Sequence, residues 1–467
     1  MRILKFGGSS VGSLNALSQV IRIIEKKRSE GPLSVVVSAF KGVTDSLLTC
    51  SGLAASGDQS YVQLLNDIEQ KHIRIIQDGI SVYHQSEALA KFKVTFNELE
   101  DVLNGVYLVR EITHRTQDFI LGFGERFSAF IISRFLHDSD IAADFADARS
   151  FIRTDVRFGS ANVLFEDTYK CIRSYFKDKN NIQIVTGFIA ATENGETTTL
   201  GRGGSDLTAS LLGVALNSDV IEIWSDVDGL MTANPQKVKD AFTIPSCSYE
   251  EAMELSHFGA KVIFPPTIQP AMKAGIPVNL LNTFNPEHTG TWITRKSQHS
   301  NGFIKGISSI ENIALLTLKG GGMIGVNGIA ARIFKSMADK GINIIMITQA
   351  SSEYTVCFAV LSKYADEARR ALEYEFREEI VQEQIEPVIL EPSMCIVAVV
   401  GDNMRNTPGI AGQVFKTLGD KHINIAAIAQ GSSERNISLL ISQKDEPNAI
   451  RSLHKTFFSV NHFESII

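Results

Sequence analysis

Short apolar runs alternate with amphipathic helical patterns through the first 300 residues of the chain. The helical patterns include two apolar stripes, one at Leu64, Leu65, Ile68, Ile75 and Ile76 and one at Leu99, Val102, Leu103 and Val106. Five apolar runs predict strands, several with β-branched residues on both faces, as in a parallel sheet covered by helices: Ile3–Phe6, Leu33–Ser38, Ile182–Thr186, Val220–Trp224 and Val278–Leu281. This alternation predicts a doubly wound α/β domain.

Residues 295–309 are polar and interrupt this pattern, and beyond them the sequence repeats itself. Residues 320–353 align with residues 401–434 without a gap, and half of the aligned positions are identical. In the first copy, Ile329, Ile333 and Met337 are predicted to line one face of a helix that Gly341 ends. Each copy is typical of a small βαβ unit, so the sequence predicts a paired regulatory module.

Length, charge and cysteine usage narrow the class of protein. A chain of 467 residues predicts two or three domains. No run approaches the roughly 20 apolar residues of a membrane helix, and the N-terminus is neither a signal nor a transit peptide. The five cysteines are scattered and never spaced as CxxC, so we expect neither a disulfide framework nor a zinc site, and we expect a reducing cytoplasm. A net charge of −7 disfavours nucleic acid as a partner.

The segment Lys5–Ser10 ends the first predicted strand with two glycines and leads into a helix. Glycines at such a point let backbone N–H groups approach phosphate oxygens, and Lys5 would add a cation. The spacing is not that of a P-loop. Two glycines after a strand are also common in a simple turn, and that alternative remains open.

The segment Thr197–Asp206 combines three glycines with one arginine and one aspartate. The glycines could wrap a phosphate, Arg202 could clamp a carboxylate, and Asp206 could orient a lysine or a metal ion. The alternative is a flexible surface loop that an ordinary helix N-cap closes.

Three further segments have both a functional and a plain structural interpretation. The turn Trp224–Met231 follows a strand and is predicted to contact nucleotide, although its aspartates could form only an Asx-turn. Lys261 could be a solvated lysine, and Glu125 could be only a carboxylate near a helix N-terminus. No Cys/His pair, G-x-S-x-G or H-E-x-x-H motif is present, which disfavours a triad or zinc hydrolase.

Together these segments resemble the aspartokinase family along the whole chain. The motifs KFGGSSV, GERFSA, TTTLGRGGSDLTA, SDVDGLMTANP and FGAKVIFP occur in the family's order. Further segments resemble the kinase half of bifunctional aspartokinase–homoserine dehydrogenases. The sequence leaves open whether a dehydrogenase once followed this chain.

The resemblance implies an α/β fold, namely an amino-acid-kinase-like sandwich with a mainly parallel central sheet followed by two ACT (βαββαβ, ferredoxin-like) regulatory domains. We expect the catalytic domain at residues 1–300. The first ACT domain is expected at 310–390, completed by 463–467, and the second at 393–462. It also implies a feedback-inhibited, ATP-dependent phosphorylation of L-aspartate to 4-phospho-L-aspartate, the first step of threonine, lysine and methionine biosynthesis.

Site roles follow from the resemblance position by position. Lys5, Asp206 and Lys261 would be catalytic. The substrate would be bound by Ser38, Thr44, Glu125, Phe188, Arg202 and Ser205. The nucleotide, ATP with Mg²⁺, would be bound by Lys5, Gly7, Gly8, Ser9, Gly204, Ser225, Asp226, Asp228, Met231, Lys261 and Val262. Met231, Gln236 and Phe264 stand where tyrosine, arginine and histidine are common in the family. The first two departures bear on the adenine or ribose contacts, and the transfer site is unchanged.

The ordinary chemistry of the substrate explains such a site. The β-carboxylate of aspartate has a pKa of about 3.9 and is already ionised at neutral pH, so no general base is needed. The enzyme must bring this anion against an anionic phosphoryl group. Cations and backbone N–H groups that neutralise charge and align the reactants serve this purpose.

The regulator is expected to be threonine and not lysine. In lysine-sensitive relatives an aspartate lies on the effector strand, where this chain has Ile345 and, in the second copy, Ala426. A buried lysine ammonium would need such a carboxylate. Gln349 and Gln430 offer neutral amides, although they could instead satisfy turn backbone. The expected effector residues are Met323, Asn343, Ile347, Gln349, Asn424, Ile428 and Gln430.

Two other functions remain as alternatives. One is another carboxylate kinase of the same fold, such as a glutamate kinase. The other is an amino-acid sensor with a decayed kinase domain, for which Met231 and Phe264 are the only hints. Because a single ACT unit buries little core, we expect a homodimer at least, with no membrane partner.

Overall fold

The computed structural model describes residues 1–259, 263–295, 303–349, 353–404 and 406–458. It forms two compact units. The first comprises Met1–Leu230, Pro245–Ala252 and Val262–Gln298. The second comprises Met231–Ile244, Met253–Lys261 and His299–Ile467. Residues 463–467, which were expected to complete the first ACT domain, lie outside the described residues.

The strands and helices of the first 295 residues alternate as the hydrophobic pattern predicts. The strands are β1 (Arg2–Phe6), β2 (Leu33–Val37), β3 (Ala143–Ala146), β4 (Ile182–Thr186), β5 (Ile189–Ala191), β6 (Thr197–Thr199), β7 (Val220–Ser225), β8 (Ser246–Ser248), β9 (Val278–Asn282) and β10 (Thr291–Thr294). The helices are α1 (Leu14–Ser29), α2 (Val43–Ser56), α3 (Ser60–Gly79), α4 (Val82–Val109), α5 (His114–Asp138), α6 (Phe165–Phe176), α7 (Gly204–Ala215), α8 (Tyr249–His257) and α9 (Gln269–Ala274).

Eight of these strands form the central sheet in the order β3-β4-β2-β1-β7-β9-β10-β8. All neighbouring pairs are parallel except β9 with β10. The middle strands β2, β4 and β7 are buried almost along their whole length, because their Val and Ile side chains face helices on both sides. The prediction of a mainly parallel α/β sheet is confirmed.

The core of the first unit lies between this sheet and the helices α1–α5. Leu65, Ile68, Ile75 and Ile76 of α3 are buried, and so are Leu99, Leu103 and Val106 of α4. The apolar stripes read from the sequence are therefore core faces. One local detail differs from the prediction. Helix α1 begins only at Leu14, where Ser13 caps it by accepting from the Ala16 N–H, so a turn separates the glycines from the helix.

The second unit contains a six-stranded antiparallel sheet with a helical layer. Its strands are β11 (Gly306–Lys319), β12 (Met346–Gln349), β13 (Thr355–Leu361), β14 (Ile389–Val400), β15 (Ile425–Ala429) and β16 (Asn436–Ser442). Its helices are α10 (Ile329–Asp339), α11 (Ala365–Glu375), α12 (Arg377–Val381), α13 (Ile410–Gly419) and α14 (Glu446–Phe458). The strand order is β12-β13-β11-β14-β16-β15.

The repeat in the sequence corresponds to a repeat in the structure. β11-α10-β12-β13-α11 and β14-α13-β15-β16-α14 have the same order of elements. Ile329, Ile333 and Met337 are the buried face of α10, as predicted, and Gly341 follows the helix with a φ of 65°. The helices of each repeat pack over the sheet around a separate apolar cluster, and the long strands β11 and β14 contribute residues to both clusters.

Candidate functional site

The carboxyl ends of the central parallel strands meet at one edge of the sheet and carry the predicted chemistry there. Lys5 is near the end of β1, Ser38 directly follows β2, Phe188 follows β4 and Asp226 follows β7. In an open α/β sheet this edge is where ligands bind. The parallel register of β1 with β2 and with β7 therefore explains why segments distant in sequence assemble.

A cavity of about 640 Å³ lies at this edge within the first unit. Its lining includes twelve of the residues predicted from the sequence: Lys5, Gly8, Ser9, Ser38, Thr44, Glu125, Phe188, Arg202, Gly204, Ser205, Asp206 and Asp226. Strand ends, the helix α5 and the start of α7 all contribute to it. The two glycine-containing segments, which the sequence left as either turns or ligand loops, face the same space.

Lys5 and Asp206 form an ion pair on the cavity wall. The Lys5 Nζ atom lies 2.7 Å from the Asp206 Oδ1 atom, and the two side chains are only 12% and 10% exposed. Asp206 is in the first turn of α7, where the helix dipole favours a carboxylate. A lysine held in this way presents a positive charge to the cavity with little freedom to move.

Two serines join the ends of β2 and α7. The Ser38 hydroxyl donates to the Ser205 Oγ atom at 3.0 Å, and the Ser128 hydroxyl donates to the Ser38 carbonyl at 2.8 Å. Gly187 makes this approach possible, because a Cβ atom there would lie 2.5 Å from the Ser205 Oγ atom. The next residue, Phe188, has a φ of 66°, a left-handed conformation that is uncommon for a bulky residue.

The loop that carries Arg202 is held against the rest of the first unit and is not a free surface loop. The strand β6 before it is buried, and the Leu200 N–H donates to the Phe188 carbonyl at 2.9 Å. Arg202 itself is exposed, and its guanidinium carbon lies 5.6 Å from the centre of the Phe264 ring. The phenylalanine that departs from the family pattern thus makes a cation–π contact with the predicted substrate arginine.

Glu125 is a buried carboxyl on α5 with little to balance its charge. Its Oε1 atom accepts from the Ala39 N–H at 3.0 Å, while its Oε2 atom has no hydrogen-bond partner in the described part of the chain. Burial raises the pKa of Glu125 to about 8, and the Ala39 N–H offsets this only partly. Such a carboxyl in a cavity wall is suited to receive a cationic group.

Several predicted site residues are not part of the cavity lining. The Gly7 N–H donates to the Trp224 carbonyl at 3.2 Å. This glycine is nevertheless close to the lysine, because a Cβ atom at Gly7 would lie 3.6 Å from the Lys5 Nζ atom. Asp228 accepts from the side-chain amides of Asn282 and Asn285, and Ser225 accepts weakly from the Val227 N–H. Met231 lies in the second unit. Lys261 and Val262 lie outside the described residues.

The cavity also contains residues that sequence reasoning missed, chiefly Lys41, Asp45, Gln117, Asp118 and Thr199. Asp118 is the most informative of them because it is buried and ionisable. A signal for it was available: Asp118 precedes Glu125 by seven residues, two helical turns, which places both on one face of α5. Among the described residues, no group of three His, Cys, Asp or Glu side chains could hold a metal ion alone.

The predicted effector residues lie on the second unit. Gln349 ends β12, Gln430 directly follows β15, and these two strands are the edges of the six-stranded sheet. Ile347 and Ile428, at equivalent positions of the repeat, are 46% and 43% exposed. Asn343 and Asn424 are exposed as well, whereas Met323 is buried in the core of the first repeat.

Comparison with known proteins assigns the two parts of the chain to known families. Residues 1–282 match the amino acid kinase family, and residues 316–376 and 397–457 match the ACT domain. Aspartokinase 1 (chloroplastic) of Arabidopsis thaliana is 31% identical over the whole chain, which covers 81% of that protein. This chain belongs to the aspartokinases of the amino acid kinase family.

Two other aspartokinase relatives extend the comparison. Bifunctional aspartokinase/homoserine dehydrogenase 1 of Arabidopsis thaliana is 36% identical over 97% of this chain. This aspartokinase spans about 50% of that relative's length. The crystal structure of E. coli aspartokinase III in complex with aspartate and ADP superposes with a TM-score of 0.81 at 26% identity, covering 98% of this chain and 100% of the other. No helix among the described residues is long and apolar enough to cross a membrane.

Proposed function

We propose that this protein is an aspartate kinase that transfers the γ-phosphoryl group of ATP to the side-chain carboxylate of L-aspartate, the first step toward threonine, lysine and methionine. The observation that carries the proposal is the cavity that combines the Lys5–Asp206 ion pair with the buried Glu125 carboxyl. The cation suits a phosphate, and the unpaired carboxyl suits the ammonium of an amino acid. The bound aspartate and ADP of the E. coli relative support the same pair of ligands.

The proposed site residues divide into two groups, those for the amino acid and those for the nucleotide. Glu125 would bind the substrate ammonium and Arg202 its α-carboxylate, with Ser38, Thr44, Phe188 and Ser205 beside the reacting carboxylate. Lys5 and Lys261 would contact the phosphates, with Asp206 orienting Lys5. The glycine turn Gly7–Ser9, Gly204, the segment Ser225–Met231 and Val262 would hold the nucleotide. Asp228 already accepts hydrogen bonds from two asparagine side chains.

The reaction requires positioning and charge neutralisation more than proton transfer. The aspartate β-carboxylate is ionised at neutral pH, so its oxygen attacks without a general base. Lys5, already fixed by Asp206, would stabilise charge on the transferred phosphoryl group, and Ser38 and Ser205 would orient the nucleophile. The acyl phosphate product is labile in water, which favours a closed site.

Magnesium fits this cavity as an ion that arrives with the nucleotide. Mg²⁺ is commonly bound by one or two carboxylates together with substrate phosphates. Asp206 and Asp226 are the lining carboxylates that could meet it on the nucleotide side. When bound, the ion would neutralise negative charge on the phosphates.

An assay of ADP release over a panel of amino acids tests the proposal against its rivals. We expect ADP release with Mg-ATP and aspartate, and much slower release with glutamate. Preference for glutamate would support a glutamate kinase. The absence of turnover with every amino acid, together with binding of threonine, would support a decayed kinase that acts as a sensor. Adding threonine or lysine to the aspartate reaction identifies the regulator in the same assay.

We propose threonine as the feedback inhibitor. Gln349 and Gln430 occupy equivalent positions beside the exposed Ile347 and Ile428, and neither amide is hydrogen-bonded to the described residues. An amide can bond a small hydroxyl side chain while the isoleucine packs against its methyl group. Ile345 and Ala426 provide no carboxylate for a lysine ammonium.

We also propose that the protein assembles as a homodimer at least, in the cytoplasm. The second unit exposes large apolar side chains at equivalent positions of its two repeats, Phe334 with Phe415 and Ile347 with Ile428. Exposed apolar residues at equivalent positions of the two repeats are suited to pack against the same surface of a second copy of the chain. The cysteines are scattered along the sequence without CxxC spacing, which accords with a reducing compartment.

A further inference from the structure

Asp118 lies on the cavity face of α5, the helix that also carries Glu125, and its side chain is almost fully buried. Burying an ionisable carboxyl is costly unless donors compensate for the lost water. The hydrogen-bond donors around Asp118 therefore show which segments of the chain its side chain links together.

Three donors converge on the Asp118 carboxylate, and none of them belongs to α5. The Oδ2 atom accepts from the backbone N–H of Thr199 at 3.0 Å and from that of Gly159 at 2.8 Å. The Oδ1 atom accepts from the Thr199 hydroxyl at 2.8 Å. The Thr199 carbonyl in turn accepts from the Ala161 N–H at 2.9 Å. One side chain thus joins α5 to the end of β6 and to the loop near residue 160.

Thr199 is the last residue of β6, and Arg202 follows it by three residues through a glycine-rich turn. Gly201 and Gly203 have φ values of 69° and 72°, so the turn uses conformations that glycine adopts easily and that do not hold Arg202 by themselves. Thr199 therefore ties the start of the Arg202 turn to α5, while the Gly204 N–H, which donates to the Gly201 carbonyl at 3.0 Å, closes the turn at α7.

We propose that Asp118 is a positioning residue. It sets the distance between the two residues that bind the amino acid, Glu125 for the ammonium and Arg202 for the α-carboxylate. Glu125 belongs to the same helix as Asp118, and the Arg202 turn is fixed to that helix through Thr199. The helix α5 therefore carries Glu125 and also aligns Arg202. This inference rests on the proposed function, because it assigns Glu125 and Arg202 to the amino acid.

Asp118→Asn tests the inference, since it keeps the shape of the side chain but removes the negative charge and leaves one acceptor oxygen for the three donors. We expect the KM for aspartate to rise at least tenfold while the KM for ATP stays within twofold of wild type. Measurements are made below the unfolding temperature and corrected for folded protein by circular dichroism. A merely structural role would lower the melting temperature or kcat without separating the two KM values.

Thr199 provides a milder pair of variants that tests the same contact if Asp118→Asn does not fold. Thr199→Val removes the hydroxyl donor and keeps the backbone N–H, whereas Thr199→Ser restores the hydroxyl. We expect Thr199→Val to raise the aspartate KM and Thr199→Ser to return it toward wild type. Equal aspartate KM values for the two variants, or parallel changes in both KM values, would overturn the inference.

Wild-type turnover in the same assay separates the inference from the proposed function. If the wild-type protein releases no ADP with aspartate, the proposed function fails and this inference fails with it. If the wild-type protein is active and the Asp118 and Thr199 variants keep its aspartate KM, only the inference fails.

Discussion

Lys5 and Asp206 show how single residues give this site its chemistry. A lysine at the end of a strand is ordinary, but this one is nearly buried and fixed at 2.7 Å from a carboxylate in the first turn of a helix. The sequence suggested a phosphate-binding lysine from the glycines beside it. It also suggested that Asp206 could orient a lysine, but it did not identify Lys5 as that lysine, because the two residues are distant in the chain and meet only when β1 and α7 pack together.

Lys5→Met should abolish phosphoryl transfer in a folded protein. Losing a positioned cation at the transferred group costs roughly 3 kcal/mol or more of transition-state stabilisation, about 100-fold or more in rate. Steady-state kinetics together with circular dichroism check this. Lys26→Met is the matched control, because Lys26 is an exposed lysine on α1 whose partner is a surface glutamate. Near-normal turnover of a folded Lys5→Met protein would remove Lys5 from the catalytic group.

Glu125 should couple aspartate binding to proton release. Its pKa of about 8 in the empty protein means that it is mostly protonated at pH 7, whereas the substrate ammonium requires the carboxylate. Aspartate affinity should therefore fall as the pH drops below 8. Glu125 faces a cavity that it shares with Lys5, Lys41, Asp118, Arg202 and Asp206, so the pH profile is compared with that of Glu125→Gln.

Calorimetric titration in buffers of different ionisation enthalpy measures the released protons. Glu125→Gln should release none, should raise the aspartate KM, and should leave the ATP KM nearly unchanged. Glu100→Gln, an exposed glutamate on α4, serves as the control. Wild-type binding at pH 7 without proton release, or a Glu125→Gln defect confined to ATP, would contradict this role.

The protonation of Glu125 should also make the stability of the protein depend on pH, in a direction that can be predicted. Burial raises the pKa of Glu125 above the unfolded value of 4.5, so the folded protein holds the proton more tightly than the unfolded chain. The contribution of Glu125 to stability is thus full below pH 4.5 and is lost as the pH rises to about 8. The stability of wild type relative to Glu125→Gln should decline across this window, and a constant difference would contradict the burial argument.

The strands and helices of the fold were largely predictable, and the contacts between them were not. β-branched runs such as Leu33–Val37 and the apolar stripe of α3 identify buried elements by local pattern alone. The hydrogen bonds of Asp118 join residues up to 81 positions apart, and its seven-residue spacing to Glu125 indicates a shared helix face but not these partners. The short strands β8 and β10 were missed, because three or four residues carry too little periodicity.

The edge strands β12 and β15 should carry the effector response. Gln349→Ala and Gln430→Ala should each weaken threonine inhibition, with the half-inhibitory concentration rising about tenfold for a lost hydrogen bond of ~1.4 kcal/mol. Uninhibited turnover should stay at the wild-type level. Gln382→Ala, which changes an exposed amide away from both edge strands, is the control. Inhibition by millimolar lysine with indifference to threonine would contradict the assignment.

The whole molecule combines an α/β unit that matches the amino acid kinase family with a unit of two repeats that match the ACT domain. The internal repeat was visible in the sequence because identical residues recur at a constant offset of 81, and the structure repeats the same order of elements. The sequence did not indicate that residues 231–244 belong with the second unit. Lys237 in that segment pairs with Glu311 and Glu446, which the local sequence pattern cannot show.

Assembly is the prediction that belongs to this scale. Light scattering at micromolar concentration should give a mass at least twice the 51.2 kDa of the chain. Replacing both Phe334 and Phe415 with Asp should shift the protein toward monomer, because these half-exposed rings occupy equivalent positions of the repeat. Tyr83→Asp, at an exposed position of α4, should have no effect on the mass. A wild-type monomer would contradict the prediction.

Trapping the product with hydroxylamine tests the central claim most directly. An acyl phosphate formed on the aspartate side chain reacts with hydroxylamine to give the β-hydroxamate of aspartate, which mass spectrometry distinguishes from other products. We predict that this hydroxamate forms in step with ADP when the protein is incubated with Mg-ATP and L-aspartate, and that Lys5→Met forms none. ADP release without hydroxamate, or hydroxamate formed from glutamate in preference to aspartate, would contradict the account.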